Sequence, residues 1–295
     1  MHRLLVLAAL FLAGCAAPPP LPPGTPSFAL LGDIPYSDAH ARSLDTLIGE
    51  MNAEPLEFVA HLGDITAGQG PCNDEWLEAR KAQFARIVHP FVLLPGDNDW
   101  TDCHRSGFEP LERLAKWRSL FCVDDAHLRI ERQSALDARF PEYCEHRRWQ
   151  LGDLLFVALN VPGSNNNLDR RPATRVEHER RMTAVIAWLE ASLELAKSRR
   201  ASRVVVLMHA NPGFEQHRGL RAPGVPEGFE SIRDALAAHA RRAPGHIVLV
   251  HGDTHTYRND APLPGLHRIE VYGWPHARWL RAWPSPGGLE IDPAR

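Results

Sequence analysis

Several features that would indicate other classes of protein are missing from this chain of 295 residues. There is no excess of positive charge: 33 basic side chains face 36 acidic ones, which gives no support for a nucleic-acid partner held by bulk charge. The N-terminal apolar run, residues 4–12, is too short to cross a bilayer as a helix. No G-x-S-x-G motif indicates a serine nucleophile. The hydrophobic content of 44% and the charged content of 23% are ordinary for a globular protein with a sizeable core.

The N-terminus has the layout of an exported lipoprotein. Residues 1–3 are weakly basic, residues 4–12 are apolar, and residues 12–15 read LAGC, which resembles the bacterial lipobox. This predicts a signal peptide over residues 1–14, a lipid on Cys15 and a Pro-rich spacer over residues 15–27. Ala16, where retained lipoproteins have Asp, favours a periplasm-facing position on the outer membrane of the cell envelope. The alternative is an ordinary signal peptide with an incidental cysteine.

Export would leave four cysteines, Cys72, Cys103, Cys122 and Cys144, in an oxidising compartment. Four cysteines allow three pairings. We favour Cys72–Cys103 and Cys122–Cys144, because Cys72 and Cys103 follow two neighbouring strands of the predicted sheet and would meet at one edge. Four reduced cysteines are the alternative.

The rest of the chain, residues 28–295, reads as one domain without internal repeats. Predicted strands cover residues 28–31, 58–62, 91–94, 204–208 and 247–250, with a hairpin over 149–161 and late antiparallel strands at 266–272, 277–283 and 288–291. Predicted helices cover residues 39–51, 73–88, 109–121, 174–198 and 230–241. Alternating strands and helices followed by a strand-rich end predict an α/β fold with mixed sheets.

Five apolar strands end in polar residues that can bind metal. These residues are Asp33, Asp64, Asp97, His209 and the pair Asp253 and His255. The carboxyl ends of strands in α/β sheets open onto one edge, and hard divalent cations prefer oxygen ligands with some imidazole. A single Gly-Asp after a strand is common turn chemistry, whereas five such endings in this order predict a metal site.

The order of these motifs resembles the calcineurin-like metallophosphoesterases, which include the purple acid phosphatases. That family shows D-x-[H/G], G-D-x-x, G-N-H-[D/E], a strand ending in His, and G-H-x-H. The corresponding segments here are residues 33–35 (DIP), 63–66 (GDIT), 96–99 (GDND), His209 and residues 252–255 (GDTH). The resemblance spans residues 28–255 and implies a four-layer α/β sandwich of two mixed β-sheets flanked by helices.

Four positions depart from the family pattern. Pro35 stands where many members have a metal-binding His, and Asn98 replaces a His beside the leaving group. Asp97 replaces an Asn ligand and Asp253 replaces a His ligand, so both positions keep a ligating atom. Asn98 can donate a hydrogen bond but cannot supply a proton.

The resemblance implies two divalent metal ions, manganese, iron or zinc. One metal would be held by Asp33, Asp64 and His255, and the other by Asp64, Asp97, His209 and Asp253. Asp64 would bridge the metals, and Asp64, Asn98 and Asp99 are the predicted catalytic residues.

Several residues near the motifs have two interpretations. Tyr36 can replace the ligand lost at Pro35 or pack as an ordinary aromatic residue. His61 and His251 can orient a carboxylate or be satisfied, half-buried histidines. The asparagines of residues 165–167 form a polar loop that can lie over the site. Trp274, Trp279 and Trp283 are assigned to core or rim packing rather than to a substrate platform.

The function that follows is hydrolysis of a phosphate mono- or diester by a hydroxide that bridges two metals. The partners expected are a small phosphate ester and, through the lipid anchor only, a membrane; no nucleic acid is expected. One alternative is a catalytically impaired, metal-binding lipoprotein with a binding or structural role. Another is a metal-dependent hydrolase of a different bond, since fold does not fix chemistry.

Overall fold

Two β-sheets packed face to face form the centre of the protein. The structure, a computed structural model, describes residues 21, 24–123, 127–169, 171–215, 224, 226–286 and 288–293. Cys15 and residues 1–14 lie outside these ranges. No helix in the described ranges is both long and apolar enough to cross a membrane.

The first sheet has five strands in the order β12-β11-β1-β2-β3. Its strands are β1 (Phe28–Leu31), β2 (Val59–His61), β3 (Phe91–Leu93), β11 (Leu280–Ser285) and β12 (Gly288–Asp292). Strands β1, β2 and β3 are parallel, whereas β11 pairs antiparallel with both β1 and β12. The sheet is therefore mixed.

The second sheet has seven strands in the order β4-β5-β6-β7-β8-β10-β9. Its strands are β4 (Glu131–Arg132), β5 (Arg147–Leu151), β6 (Leu154–Ala158), β7 (Arg203–Leu207), β8 (Ile247–His251), β9 (Arg258–Leu263) and β10 (Leu266–Glu270). Strands β6, β7, β8 and β10 are parallel, and the outer pairs are antiparallel. Residues 266–272 were predicted to form an antiparallel strand. The strand there, β10, pairs antiparallel with β9, but its pairing with β8 is parallel, so that part of the prediction is wrong.

Helices cover the outer face of each sheet. The helices are Asp38–Asn52, Asp74–Phe84, Pro110–Phe121, Gln133–Leu136, Pro172–Arg199 and Glu230–Arg242, with a 3-10 helix at Thr101–Ser106. One apolar cluster, which includes Phe28, Phe156 and Val205, lies between the sheets, and two others join each sheet to its helices. This is the four-layer arrangement of two mixed sheets expected from the sequence.

Two local differences from the predicted elements have simple causes. The helix Asp74–Phe84 ends before residue 88, because the next turn tightens: the N–H groups of Arg86 and Ile87 donate to the carbonyl oxygens three residues earlier. Strand β9 was not predicted, since its first residues are polar and exposed and show no apolar alternation.

Candidate metal centre

The six predicted ligands lie together at the carboxyl ends of five strands drawn from both sheets. They are Asp33 after β1, Asp64 after β2, Asp97 after β3, His209 after β7, and Asp253 and His255 after β8. Because β1, β2 and β3 are parallel, as are β7 and β8, the loops that follow them open onto one edge.

One side of the site is built around the hydroxyl group of Tyr36. Its oxygen lies 3.3 Å from Oδ1 of Asp33, 3.1 Å from Oδ2 of Asp64 and 2.9 Å from Nε2 of His255. Nε2 of His255 is also 3.5 Å from Oδ1 of Asp33. Tyr36 was expected either to replace a ligand or to pack as an ordinary aromatic residue. The geometry supports the first interpretation, because the phenol oxygen lies among the predicted ligands Asp33, Asp64 and His255.

The other side is centred on His209, whose side chain is fully buried. Its Nδ1 lies 2.8 Å from the carbonyl oxygen of Leu62, an acceptor, so Nδ1 carries a proton and Nε2 is the nitrogen turned toward the carboxylates. Nε2 faces Oδ1 of Asp97 at 3.0 Å and Oδ1 of Asp253 at 3.8 Å. A divalent metal bound here would take the place of the proton on Nε2, while Nδ1 stays bonded to the backbone.

Asp64 stands between the two sides. Its Oδ2 faces Tyr36 at 3.1 Å, and its Oδ1 lies 3.4 Å from Nε2 of His209. A carboxylate with one oxygen toward each side is the geometry that a bridging ligand needs. Residue 96 is a glycine because a Cβ there would lie 2.1 Å from Oδ1 of Asp64.

The donor atoms are close enough to hold cations. Single ligand atoms of Asp33, Asp64 and His209 lie within 4.8 Å of one another, and so do those of Asp97, His209 and Asp253. His209 belongs to both groups by distance, but one nitrogen lone pair can bind only one metal, so His209 would be a ligand of one metal and a neighbour of the other. Carboxylate oxygens with imidazole suit divalent metals such as manganese, iron and zinc, so the residues present fit a two-metal centre.

Four of the six predicted ligands have left-handed backbone conformations. The φ angles are 55° for Asp33, 60° for Asp64, 77° for Asp253 and 58° for His255. Non-glycine residues pay roughly 1–2 kcal/mol each for this region. Such strain persists where the surrounding structure determines it, and it is concentrated at functional sites.

The charges of this cluster are strongly interdependent. Burial raises the pKa of Asp64 well above its usual range, against the charge of His209, and burial and Asp97 raise the pKa of Asp253 to about 7. Burial alone would lower the pKa of His209, but the charge of Asp64 and the hydrogen bond to Asp97 raise it well above its usual range. Without cations, some of these carboxylates therefore hold protons, which reduces the repulsion between them. Divalent metals would neutralise the same negative charge in place of those protons.

Asp99, one of the predicted catalytic residues, is fully buried beside Asp64. Its carboxylate accepts hydrogen bonds from the backbone N–H groups of Asp64 at 3.0 Å, Ile65 at 2.7 Å and Gly96 at 2.8 Å. These bonds fix the loops after β2 and β3 relative to each other. Asp99 thus helps to position Asp64, and the catalytic role assigned to it from the sequence stays a prediction.

Asn98 contacts the central carboxylate directly. Its Nδ2 donates to Oδ2 of Asp64 at 2.6 Å, and its backbone N–H donates to Oδ1 of the same residue at 3.0 Å. The predicted catalytic residues Asp64 and Asn98 thus form one unit.

The two neighbouring histidines do not contact the ligand carboxylates. His61 is fully buried, with Nε2 2.7 Å from the carbonyl oxygen of Ile34 and Nδ1 accepting from the N–H of Gly63, so it joins two loops through their backbones. His251 is also fully buried, with Nδ1 2.9 Å from the carbonyl oxygen of Gly252. Both are more buried than the sequence suggested, and burial lowers the pKa of each.

The tryptophans have different environments. Trp279 is buried in the core beside the helix Asp38–Asn52, and Trp283 is half-buried in β11. Trp274 is 52% exposed and makes an edge contact with His40, so it packs at the surface rather than in the core.

The sequence did not identify a second group of polar residues beside Asp97. Residues 164–167 form a left-handed turn, with φ between 49° and 59°, rather than an ordinary loop. The turn places the hydroxyl of Ser164 2.8 Å from Oδ2 of Asp97 and 2.7 Å from Oδ2 of Asp102. The polar run at residues 163–167 was the only sequence signal for this contact.

A buried carboxylate supports the loop that carries Asp253 and His255. Glu270, fully buried at the end of β10, accepts from the hydroxyl of Thr254 and from the backbone N–H of Thr256, and it pairs with Arg258. Arg258, the first residue of β9, thus helps to hold the loop that carries Asp253 and His255.

Two disulfides are present, Cys72–Cys103 and Cys122–Cys144, the pairs favoured from the sequence. Both sulfur atoms of the first lie 3.4 Å from the carbonyl oxygen of Asn98. The disulfide therefore fastens the loop after β2 to the 3-10 helix Thr101–Ser106 directly behind the site.

Solved structures share this fold. A dimetal phosphatase from Danio rerio matches with a TM-score of 0.56 and 14% identity over 89% of this chain and 93% of its own. A purple acid phosphatase from yellow lupin seeds matches with a TM-score of 0.57 and 14% identity over 90% of this chain, which spans about half (51%) of that chain. A Thermus thermophilus protein matches with a TM-score of 0.50 and 12% identity.

At these identities the likeness establishes the fold. No protein-family model matches the sequence, and neither does any curated protein.

Proposed function

We propose that this protein is a metal-dependent phosphoesterase of the calcineurin-like class. The observation that carries the proposal is the convergence of four carboxylates, two imidazoles and a phenol at one edge of the packed sheets. Asp33, Asp64, His255 and Tyr36 would hold one divalent metal. Asp64, Asp97, His209 and Asp253 would hold the other.

The residues of the chain prepare this reaction in three ways. Asp64 holds the two sides at a fixed separation, and Asp99 fixes the backbone on which Asp64 stands. Asn98 directs an amide toward the same point, where it can donate a hydrogen bond to a phosphoryl or leaving oxygen. The bound metals would supply an activated water at neutral pH and neutralise phosphoryl oxygens as charge develops.

A second function is favoured by Asn98 itself. An amide cannot protonate a leaving group, so the protein would be slow on esters with poor leaving groups, or it would bind metal and ligand without turnover. Metal stoichiometry and turnover separate the two: two metals with phosphate release indicate the enzyme, and metal binding without release indicates the binding protein.

The experiment that tests the proposal is an activity screen of metal-reconstituted protein. Manganese, iron and zinc forms would each be assayed against phosphomonoesters, nucleotides, phosphodiesters and phospholipid headgroups. Release of phosphate or alcohol that requires metal supports the proposal. No turnover of any ester by protein that carries two metals per chain would refute it.

We also propose that the mature protein is lipid-anchored in the cell envelope. The proposal rests on the lipobox-like sequence that ends at Cys15 and on the Pro-rich segment after it. The pairing of the four other cysteines supports it, because disulfides persist in exported proteins.

A further inference from the structure

Arg105 lies at the rim of the candidate metal centre, in the last turn of the 3-10 helix Thr101–Ser106. Its Nη1 lies 2.7 Å from Oδ2 of Asp102, and its Nη2 lies 3.4 Å from the hydroxyl oxygen of Ser164. The side chain of Asp102 is 3% exposed, whereas that of Arg105 is 42% exposed. The guanidinium group is thus held by Asp102 and Ser164 on its buried side and is exposed to solvent on the other.

The position of Arg105 is fixed from several directions. Cys103 in the same 3-10 helix is bonded to Cys72, and the hydroxyl of Ser106 donates to the carbonyl oxygen of Gly70 at 2.8 Å. Both contacts tie this helix to the loop that begins at Asp64. An arginine held in this way loses little side-chain freedom when it binds a ligand.

Arg105 faces the same opening as Asn98. A Cβ built on Gly68 would lie 3.0 Å from Oδ1 of Asn98 and 3.2 Å from Nη1 of Arg105. The missing side chain at residue 68 therefore leaves open the space between the amide and the guanidinium group. Ser164, which contacts Arg105, also contacts Asp97, so this space adjoins the second side of the metal centre.

We propose that Arg105 binds a phosphoryl oxygen of the substrate and thereby selects phosphomonoesters over phosphodiesters. This inference rests on the proposed phosphoesterase function. A phosphomonoester dianion has three non-bridging oxygens, whereas a diester has two and a single negative charge. Arginine carries five N–H donors, and the contacts to Asp102 and Ser164 leave others on the guanidinium group for a third oxygen.

A purely structural role for Arg105 makes a different prediction. If Arg105 served only to neutralise the buried Asp102, its loss would disturb Asp97 through Ser164 and would impair the metal centre as a whole. Metal content would fall, and mono- and diesters would be affected equally. A role in substrate binding would leave the metals in place and would affect the dianion most.

The test compares Arg105→Gln, Arg105→Lys and the wild type, as full chains loaded with metal. The control is Arg139→Gln, which removes an exposed arginine paired with Asp137. Metal content, the Kd of inorganic phosphate, and kcat/KM for 4-nitrophenyl phosphate and bis(4-nitrophenyl) phosphate would be measured for each protein.

We expect Arg105→Gln to keep two metals and to weaken phosphate binding about 10- to 100-fold, the usual effect of a charge-assisted hydrogen bond. Its kcat/KM for the monoester should fall by a similar factor, with little change for the diester. Arg105→Lys should be intermediate, because an ammonium group keeps the charge but not the planar fork. Arg139→Gln should match the wild type.

Unchanged phosphate affinity in Arg105→Gln, a loss of metal, or equal losses on both esters would overturn the inference. If phosphate binding depends on Arg105 but the wild type hydrolyses neither ester, the anion site stands and the proposed function fails. If the wild type hydrolyses both esters but Arg105→Gln binds inorganic phosphate with unchanged affinity, the proposed function stands and the inference fails.

Discussion

The hydroxyl oxygen of Tyr36 lies 3.1 Å from Oδ2 of Asp64, although the two residues are 28 positions apart. The same oxygen also contacts Asp33 and His255, so one phenol touches three of the proposed ligands. It provides a donor on the side where Pro35 replaces the histidine of the family pattern. We therefore propose that Tyr36 serves as a ligand in place of that histidine.

The first prediction concerns this phenol. Tyr36→Phe should lower the affinity of the adjoining metal by at least about tenfold, since even residues that only orient ligands contribute 10- to 100-fold. The fold should be kept, because the ring stays in place. Metal titration against Tyr143→Phe, a buried tyrosine in a separate apolar cluster, checks this. If Tyr36→Phe binds two metals with wild-type affinity, Tyr36 is not a ligand and serves only in packing.

The second prediction concerns the disulfide behind Asn98. Replacing Cys72 and Cys103 by alanine should lower the free energy of unfolding by about 3 kcal/mol, because the unfolded chain loses a constraint. It should also reduce activity, since the bond lies against the backbone of Asn98.

The control is the matching double substitution of Cys122 and Cys144, which join segments away from the ligand loops. It should cost stability without affecting metal content or activity. Chemical denaturation and assays of both double variants test this contrast. Recovery of Cys72 and Cys103 as free thiols from exported protein would contradict the prediction.

The third prediction concerns Asp97. Asp97→Asn should keep both metals at saturating concentration, with activity within about 10- to 100-fold of the wild type. The amide keeps an oxygen that can bind metal beside His209, and the hydroxyl of Ser164 can still form a hydrogen bond with residue 97. Complete loss of metal would show that the charge of Asp97, rather than its oxygen atom, holds the second metal.

The fourth prediction concerns the anchor. Cys15→Ser removes the thiol that would carry the lipid, so lipid labelling should disappear and uncleaved or mislocalised precursor should accumulate. Labelling of whole cells with a radioactive or clickable fatty acid measures this. Labelling that persists in the variant would exclude Cys15 as the modified residue.

Much of this site could be predicted from sequence because the ligands follow buried apolar strands. The runs that form β1, β2, β3, β7 and β8 are short, hydrophobic and followed by polar residues, and parallel strands bring such residues to one edge. The sequence pattern therefore predicted that Asp33, Asp64, Asp97 and His209 lie close together, as they do.

The residues that could not be predicted depend on irregular backbone. The left-handed turn at residues 164–167 directs Ser164 toward Asp97, and no periodic pattern reports such a conformation. Asp102 and Arg105 reach the site through a 3-10 helix whose six residues are too few for a periodic signal. The contacts of Asp99 could not be predicted because they go to backbone N–H groups, which every residue except proline has.

The central claim is that Asp64 serves both metals. Asp64→Asn removes a shared negative charge while size hardly changes, so it tests this claim more directly than any other substitution. Metal content and phosphate release should be measured beside the wild type and Asp45→Asn, a control at a half-exposed surface ion pair. We expect Asp64→Asn to lose at least one metal and essentially all hydrolysis with the fold intact. Two metals per chain and full activity in Asp64→Asn would contradict the site assignment and the function proposed from it.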